Sequence, residues 1–289
     1  MLEEKCSLSP LQKDAEHAVV VAVSSRAVFE READEGDEVY GSSVAFPLLQ
    51  ALQRVNERLL EENPAESLLF DVILITTDSK QQQQRSRIIS STTHYGNLTL
   101  TIISSTTHYG NLTLTIISST THYGLEVSRF CFSSEEDFIE SLLKNNVHLF
   151  LTTDRNEALQ ASQKGVFSAL LDQQTASCPS EQLRVLFCGD AIIRPDTDPM
   201  PASRRAAQSF STQLGEMRSR FGALHSPVSF ILLTSHGDRE SCGDALRMLR
   251  SRGVTMDEAY CLAGAPRGPI LSLLHTHFLL SDGFSGLED

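Results

Sequence analysis

Short apolar runs of strand length, separated by segments of helical period, constrain the fold of this chain more than any other feature. Ala18–Ser24, Leu68–Thr76, Val147–Leu151, Val166–Leu171, Val185–Phe187, Ser229–Leu233, Ala259–Ala263 and His277–Leu280 carry the Val, Ile, Leu and Phe of buried strands. Between them, Leu48, Leu49, Leu52, Val55 and Leu59 recur at helical spacing over 45–62, with Pro47 suited to a first turn. Further helices are expected over Phe138–Leu143, Asn156–Lys164, Ala206–Arg220, Asp244–Arg252 (stopped by Gly253) and up to Leu274. Strand–helix alternation of this kind defines the α/β class: parallel, Rossmann-like sheets with covering helices.

Composition narrows the partners. The chain of 289 residues carries a net charge of −13 with no basic stripe, which argues against nucleic acid. No apolar run approaches a membrane span, and the start, MLEEKCSLSP, is too polar and acidic for a secretory signal. Six cysteines (Cys6, Cys131, Cys178, Cys188, Cys242, Cys261) are scattered without a CxxC pair, so reduced thiols and a cytoplasmic location are expected. In so acidic a chain an anion site has to be made locally, from backbone N–H groups and a few cations.

The oddest stretch is a tandem repeat. IISSTTHYGNLTLT fills 88–101, recurs at 102–115 and begins again at 116, a period of 102 − 88 = 14 residues. Such identity marks either a recent tandem duplication or a fault of sequence assembly, and three starts of a short unit do not make a solenoid. Its Thr, Ile, Leu and Tyr favour strands, so the extra copies are expected as a protruding hairpin or loop prone to aggregation. Recurrence of His94, His108 and His122 follows from the duplication and carries no metal reading. The triplets Asn97-Leu-Thr99 and Asn111-Leu-Thr113 mean little without secretion.

Two strand ends hold candidate chemistry. Ser24, Ser25 and Arg26 follow the first strand, where hydroxyls and a cation can meet a phosphate. In RVLFCGDAIIR (184–194) the run Val185–Phe187 ends at Cys188, Gly189 permits a sharp turn, and Asp190 follows where open α/β sheets place ligands. Cys188-x5-Arg194 has the spacing of cysteine phosphatases, but Asp190 would repel phosphate, and Ile192 and Ile193 are too bulky for that loop. Asp196 and Asp198 form an alternative aspartate pair, placed in a proline-rich loop rather than at a strand end.

RVLFCGDAII (184–193), FILLTS (230–235), ALRMLRSRGVTMDEAYCLAGAPRGPIL (245–271) and HFLLSD (277–282) resemble the cytosolic type I 5'-nucleotidases, phosphatases of the haloacid-dehalogenase kind. VVVAVSSRAVF (19–29), AFPLLQALQRVN (45–56), FDVILITT (70–77) and HYGLEVSRFCF (122–132) resemble the same family in the same order. The resemblance implies a flexible leader over 1–17 and an N-terminal α/β half over 18–172 with an insertion at 88–115. After the polar break at Gln173–Gln182 comes a C-terminal half over 183–289, resembling a haloacid-dehalogenase core and ending earlier than in relatives.

The resembled chemistry is hydrolysis of nucleoside 5'-monophosphates, usually AMP, with Mg²⁺. One aspartate attacks phosphorus, a second moves protons, a hydroxyl and a lysine grip the phosphoryl group, and carboxylates hold the metal. On this chain Asp190 keeps the proton-transfer position and a metal-contacting one, Thr234 the hydroxyl and Asp282 a metal position. Cys188 replaces the nucleophile, Arg267 the lysine and Ser281 a carboxylate of the last pair. By the same resemblance Ser24, Ser25 and Arg26 bind substrate, while Ser134-Glu135 stands where the family has a nucleotide-contacting Gly-Gly turn. A thiolate is a poor ligand for Mg²⁺, so reduced or absent activity and a weakened metal site are expected. The contrasting expectation is a non-catalytic nucleotide-binding or subunit-interaction protein, a homo-oligomer or a partner of active relatives.

Overall fold

The computed structural model describes residues 17–30, 40–78, 89–95, 98–104, 110–134, 137–171, 178, 181–193, 201–222, 226–235 and 239–280. The expected leader falls almost wholly outside them. In chain order the first elements are β1 (Val19–Ser24), the one-turn α1 (Ser25–Val28), β2 (Phe29–Glu30), β3 (Gly41–Ser42), α2 (Phe46–Glu62) and β4 (Phe70–Asp78). Then follow β5 (Ile89–Tyr95), β6 (Leu98–Ser104), α3 (Gly110–His122), β7 (Arg129–Ser134), α4 (Phe138–Lys144), β8 (Leu149–Thr152), α5 (Arg155–Gln163) and β9 (Ser168–Leu170). The rest comprises β10 (Leu183–Cys188), α6 (Gly189–Ile192), α7 (Ala202–Ser219), β11 (Val228–Thr234), α8 (Arg239–Ser251), β12 (Glu258–Cys261), α9 (Gly268–Leu274) and β13 (Phe278–Leu280).

This is the expected α/β architecture. A seven-stranded sheet runs β5-β6-β7-β4-β1-β8-β9 and a four-stranded sheet runs β12-β11-β10-β13; β2 and β3 form a small antiparallel ribbon. Every pairing in the two large sheets is parallel except β5 with β6. β1 and β10 are central strands whose neighbours lead away in opposite directions, so each marks a point where strand order reverses. Their burial on both faces explains the unbroken apolar runs.

One apolar core joins the sheets. Val21, Val23 and Leu74 of the first sheet and Val185, Phe187 and Phe230 of the second belong to it, with Leu52 and Val55 of α2 and Phe210 and Leu214 of α7. Phe167 and Phe210 meet within it at 5.9 Å between ring centres. α4 and α5 cover the other face of the first sheet through Phe138, Leu142 and Ala161, and α9 contributes Leu274 to the cluster on the other face of the second.

Both sheets follow one hydrogen-bonding plan. Val20 N–H donates to His148 Nδ1 at 3.0 Å and His148 N–H donates back to Val20 O at 2.9 Å. In the second sheet Arg184 N–H donates to His277 Nδ1 at 3.1 Å and His277 N–H to Arg184 O at 2.9 Å. The neighbouring strands agree: Val19 N–H to Leu69 O (2.8 Å) matches Leu183 N–H to Pro227 O (2.7 Å). Likewise Ser128 N–H to Val72 O (2.9 Å) matches Asp257 N–H to Phe230 O (2.8 Å). In this register Ser24 corresponds to Cys188, Ser25 to Gly189, Arg26 to Asp190, and Thr76-Thr77 to Thr234-Ser235.

The repeat departs from expectation. Its first hairpin does not protrude: β6 pairs in parallel with β7, so β5 and β6 extend the large sheet. The expected insertion boundary at 115 falls inside α3, which spans the end of the second copy and the start of the third. ISSTTH is therefore strand at 89–94 and helix within 110–122. Tertiary contacts decide between them. Ile116 and Ile117 are buried in the main core, Tyr40 N–H donates to Ser119 Oγ at 2.9 Å, and Tyr123 Oη donates to Tyr40 O at 3.1 Å.

Candidate functional site

The C-terminal ends of β10 and β11 converge on Cys188, Asp190, Ser235 and Arg267. Close approach of the strands requires Gly189. A Cβ there would lie 2.2 Å from Thr234 Cγ2 and 3.2 Å from Leu232 Cδ1, so any side chain would push α6 off β11. Asp190 Oδ2 accepts from Ser235 N–H at 2.9 Å and from an Arg267 guanidinium N–H at 3.3 Å, while Arg267 Nε–H donates to Ser235 Oγ.

Arg267 is brought there by the turn LAGAPRGP. Leu262 N–H donates to Thr234 O and Gly264 N–H to Ser235 O, each at 2.8 Å, clamping the turn to the end of β11. The left-handed backbone this needs falls on Ala263 (φ 51°) and Gly264 (φ 90°). α9 then starts at Gly268-Pro269, where a proline is preorganised for a first turn.

Cys188 ends β10 and is 7% exposed. Burial pushes its thiol pKa up; the Asp190 charge pushes the same way, against a hydrogen bond from Ala191 N–H and the attraction of Arg267. The group is accordingly a thiol at neutral pH, not a nucleophilic thiolate, which removes the chemical basis of the cysteine-phosphatase spacing. Thr234 is fully buried, and its hydroxyl donates across the sheet to Tyr260 O at 3.3 Å. Ser235, not Thr234, brings a hydroxyl to Arg267. Side-chain alternation along FILLTS held that signal, since adjacent strand residues face opposite ways.

The substrate-binding candidates occupy the equivalent end of the first sheet. Ser24 and Ser25 are buried, and the exposed Arg26 donates from its guanidinium to Thr77 O at 2.9 Å. Thr77 Oγ1 and Thr152 Oγ1 both donate to the Glu157 carboxylate, at 2.9 and 2.7 Å. Asp154 caps α5 and so aims Glu157, accepting from Asn156 N–H at 2.7 Å and Glu157 N–H at 3.3 Å. The sequence reading missed Glu157. Ser24, Ser25 and Arg26 thus sit at one strand-order reversal, and Cys188, Asp190 and Arg267 at the other. Arg194, Asp196, Asp198, Ser281, Asp282 and Glu135 lie outside the described residues.

Among the described residues no three His, Cys, Asp or Glu side chains form a group able to hold a metal, and no helix is long and apolar enough to cross a membrane. Among the described residues, the donors near Asp190 do not by themselves fit Mg²⁺. A neutral, buried thiol stands beside a carboxylate that already accepts from a guanidinium.

An α/β chain of parallel sheets flanked by helices, with an Asp in the turn after a central strand, is consistent with a Rossmann-like or haloacid-dehalogenase-like fold. Comparison with known proteins narrows that class. A family model described as 5'-nucleotidase matches residues 97–200. The chain is similar to human cytosolic 5'-nucleotidase 1B, with 28% identity over 271 residues covering 84% of this chain and 39% of that protein. It therefore spans about two fifths of the length of the curated relative it matches. No solved structure gives a significant match. These matches support a likeness to the cytosolic 5'-nucleotidases, from which the chain diverges.

Proposed function

We propose that this chain recognises nucleoside 5'-monophosphates, AMP foremost, in the cytosol, and that its phosphohydrolase chemistry is reduced or lost. The family supports the ligand class. The observation that carries the loss of chemistry is Cys188: a buried thiol, with its pKa pushed up, at the end of β10 where relatives have the attacking aspartate. The state of Asp190 points the same way, because a carboxylate held by Ser235 N–H and Arg267 is poorly placed to pass a proton to a leaving oxygen. Arg267 retains the positive charge for an anion but not the compact ammonium of lysine. Mg²⁺ binding is correspondingly weakened.

This pairing of Asp190 with Arg267 also favours the second reading, nucleotide binding without turnover, alone or as a partner of active relatives. Phosphate release from AMP with Mg²⁺, run beside an AMP-dependent thermal shift, separates turnover from binding. The unmodified chain should release negligible phosphate yet gain melting temperature with AMP. Cys188→Asp combined with Ser281→Asp should restore Mg²⁺-dependent release in part, and adding Arg267→Lys should raise it, whereas each single change does little because nucleophile and metal act as a unit. AMP hydrolysis at the level of active relatives that survives Cys188→Ala would move the chemistry to another residue and end this reading.

A further inference from the structure

The C-terminal end of the first sheet carries a row of hydroxyls with a carboxylate set among them. Ala22 of β1, Ile75 of β4, Cys131 of β7 and Phe150 of β8 lie in the apolar cluster under α4 and α5. Strand side chains alternate, so the residue two positions further along each strand shares that face. Those residues are Ser24, Thr77, Ser133 and Thr152, one hydroxyl on each of four neighbouring strands. Glu157 reaches the row from α5. Thr77 and Thr152 stand on the two strands that flank β1, and both donate to its carboxylate, which therefore lies across the end of β1. A carboxylate accepts about four hydrogen bonds, and the threonines supply two. Glu157 is half-buried, Thr153 next to Thr152 is exposed, and so is Arg26, which donates to Thr77 O.

Ser133 supplies an independent observation. It pairs in register with Thr77, and its Oγ is buried without a hydrogen-bond partner among the described residues. Buried polar groups are nearly always paired, so an unpaired hydroxyl on this face points to a ligand. Charge decides which part of a nucleotide fits. Glu157 would repel a phosphate, whereas the ring hydroxyls of a pentose donate to a carboxylate. Dinucleotide-binding sheets use an acidic residue in this way, and they too bind where strand order reverses.

We propose that Glu157 is the pentose-recognising residue of this chain, accepting from the ring hydroxyls of a bound nucleotide while Ser133 pairs with the same ring, an assignment that rests on the nucleotide reading above. The hydroxyls of this strand end then serve the sugar rather than the phosphate.

Calorimetric titration of the full chain with AMP and with 2',3'-dideoxy-AMP tests this. AMP should bind at least about tenfold more tightly, because the analogue leaves the acceptors of Glu157 unpaired. Glu157→Gln keeps the size of the side chain and one acceptor oxygen; it should weaken AMP about tenfold and the analogue hardly at all. Ser133→Ala removes a hydroxyl without a partner in the free chain, so melting should be unchanged while AMP weakens and the analogue does not. Equal affinity for the two nucleotides would overturn the assignment. So would a Glu157→Gln loss shared equally by both, the mark of a residue that only ties β4 and β8 to α5. Failure of AMP to bind at all would instead end the nucleotide reading itself, and this inference with it.

Discussion

If Asp190 and Arg267 are coupled as the geometry implies, a double-mutant cycle must show it. Asp190→Asn removes the charge yet leaves an oxygen for Ser235 N–H; Arg267→Met removes the guanidinium yet keeps the stem. The side chains are 17% and 16% exposed, and the contact is 3.3 Å. Exposed pairs give roughly 0.2–1 kcal/mol, and truncating one partner of a fully buried pair costs about 3–5 kcal/mol. A mostly buried contact, longer than the 2.7–2.9 Å of the best charge-assisted bonds, falls between, at about 1–2 kcal/mol of coupling. Urea unfolding of the four proteins measures it, and partial burial should preserve most of it at high salt. Coupling below about 0.5 kcal/mol, within the scatter of independent sites, would refute the reasoning. Asp190 would then be available for proton transfer, and its pairing could not account for the proposed loss of activity.

Three further outcomes are expected. Burial lowers the His148 pKa below its ordinary 6.5, and its Nδ1 must stay unprotonated to accept from Val20 N–H. Its contribution to stability is therefore full above pH 6.5 and is lost as pH falls through the lowered pKa. The stability gap between the unmodified chain and His148→Leu, about 1–3 kcal/mol for a stranded buried donor, should narrow from pH 8 to pH 5; a constant gap would contradict this. Gly189→Ala should cost about 1–3 kcal/mol, read as a melting temperature several degrees lower, because the fully buried Thr234 has little room to yield. Gly243→Ala, where a Cβ meets nothing within 4 Å, serves as control and should be neutral or stabilising. Deleting residues 88–115 removes β5, β6 and the first turns of α3 but keeps Ile116, Ile117, Ser119 and Tyr123. Unfolding should stay cooperative with little change in midpoint, and loss of cooperativity would put the copies in the core.

What the sequence disclosed followed physical scale. Strands β1, β4, β10 and β11 were legible because burial on both faces demands continuous apolar residues, a signal internal to each segment. The positions of Cys188 and Asp190 were legible too, since a glycine after a buried strand marks the turn. The repeat was not: an identical hexapeptide is strand at 89–94 and helix in α3, so no local rule could assign both. Its third copy is helical because Ile116 and Ile117 reach the core and Tyr40 bonds to Ser119 and Tyr123 across 79 and 83 positions of chain. The partner of Arg267 was missed for a similar reason. Family resemblance offered a hydroxyl at Thr234, whereas strand alternation and the LAGAPRGP clamp bring Ser235 instead. The common plan of the two sheets is carried by main-chain hydrogen bonds and two histidines, with little side-chain identity to betray it.

That plan changes what the retention of Asp190 means. In the first sheet the equivalent position is Arg26, whose guanidinium donates to Thr77 O; in the second, Asp190 accepts from Ser235 N–H, and Thr77 and Ser235 are themselves equivalent. A cation ties the turn to a carbonyl in one case and an anion ties it to an N–H in the other. The task is the same: to staple the short helix after the central strand to the end of its neighbour. Because a side chain of either sign accomplishes it, a staple suffices to keep an aspartate at 190 even where no phosphoryl group is transferred. Presence of Asp190 therefore says little about catalysis, while Cys188, whose neutral thiol accepts from Ala191 N–H in place of a charged carboxylate, says a great deal. The two substitutions that separate these roles are Asp190→Asn, which keeps an acceptor for Ser235 N–H, and Asp190→Ala, which removes it. If the staple is the main role, alanine should cost about 1–3 kcal/mol more than asparagine, which loses only the charge coupling to Arg267. Equal losses from both would assign the residue's worth to its charge and return it to the chemistry of the site.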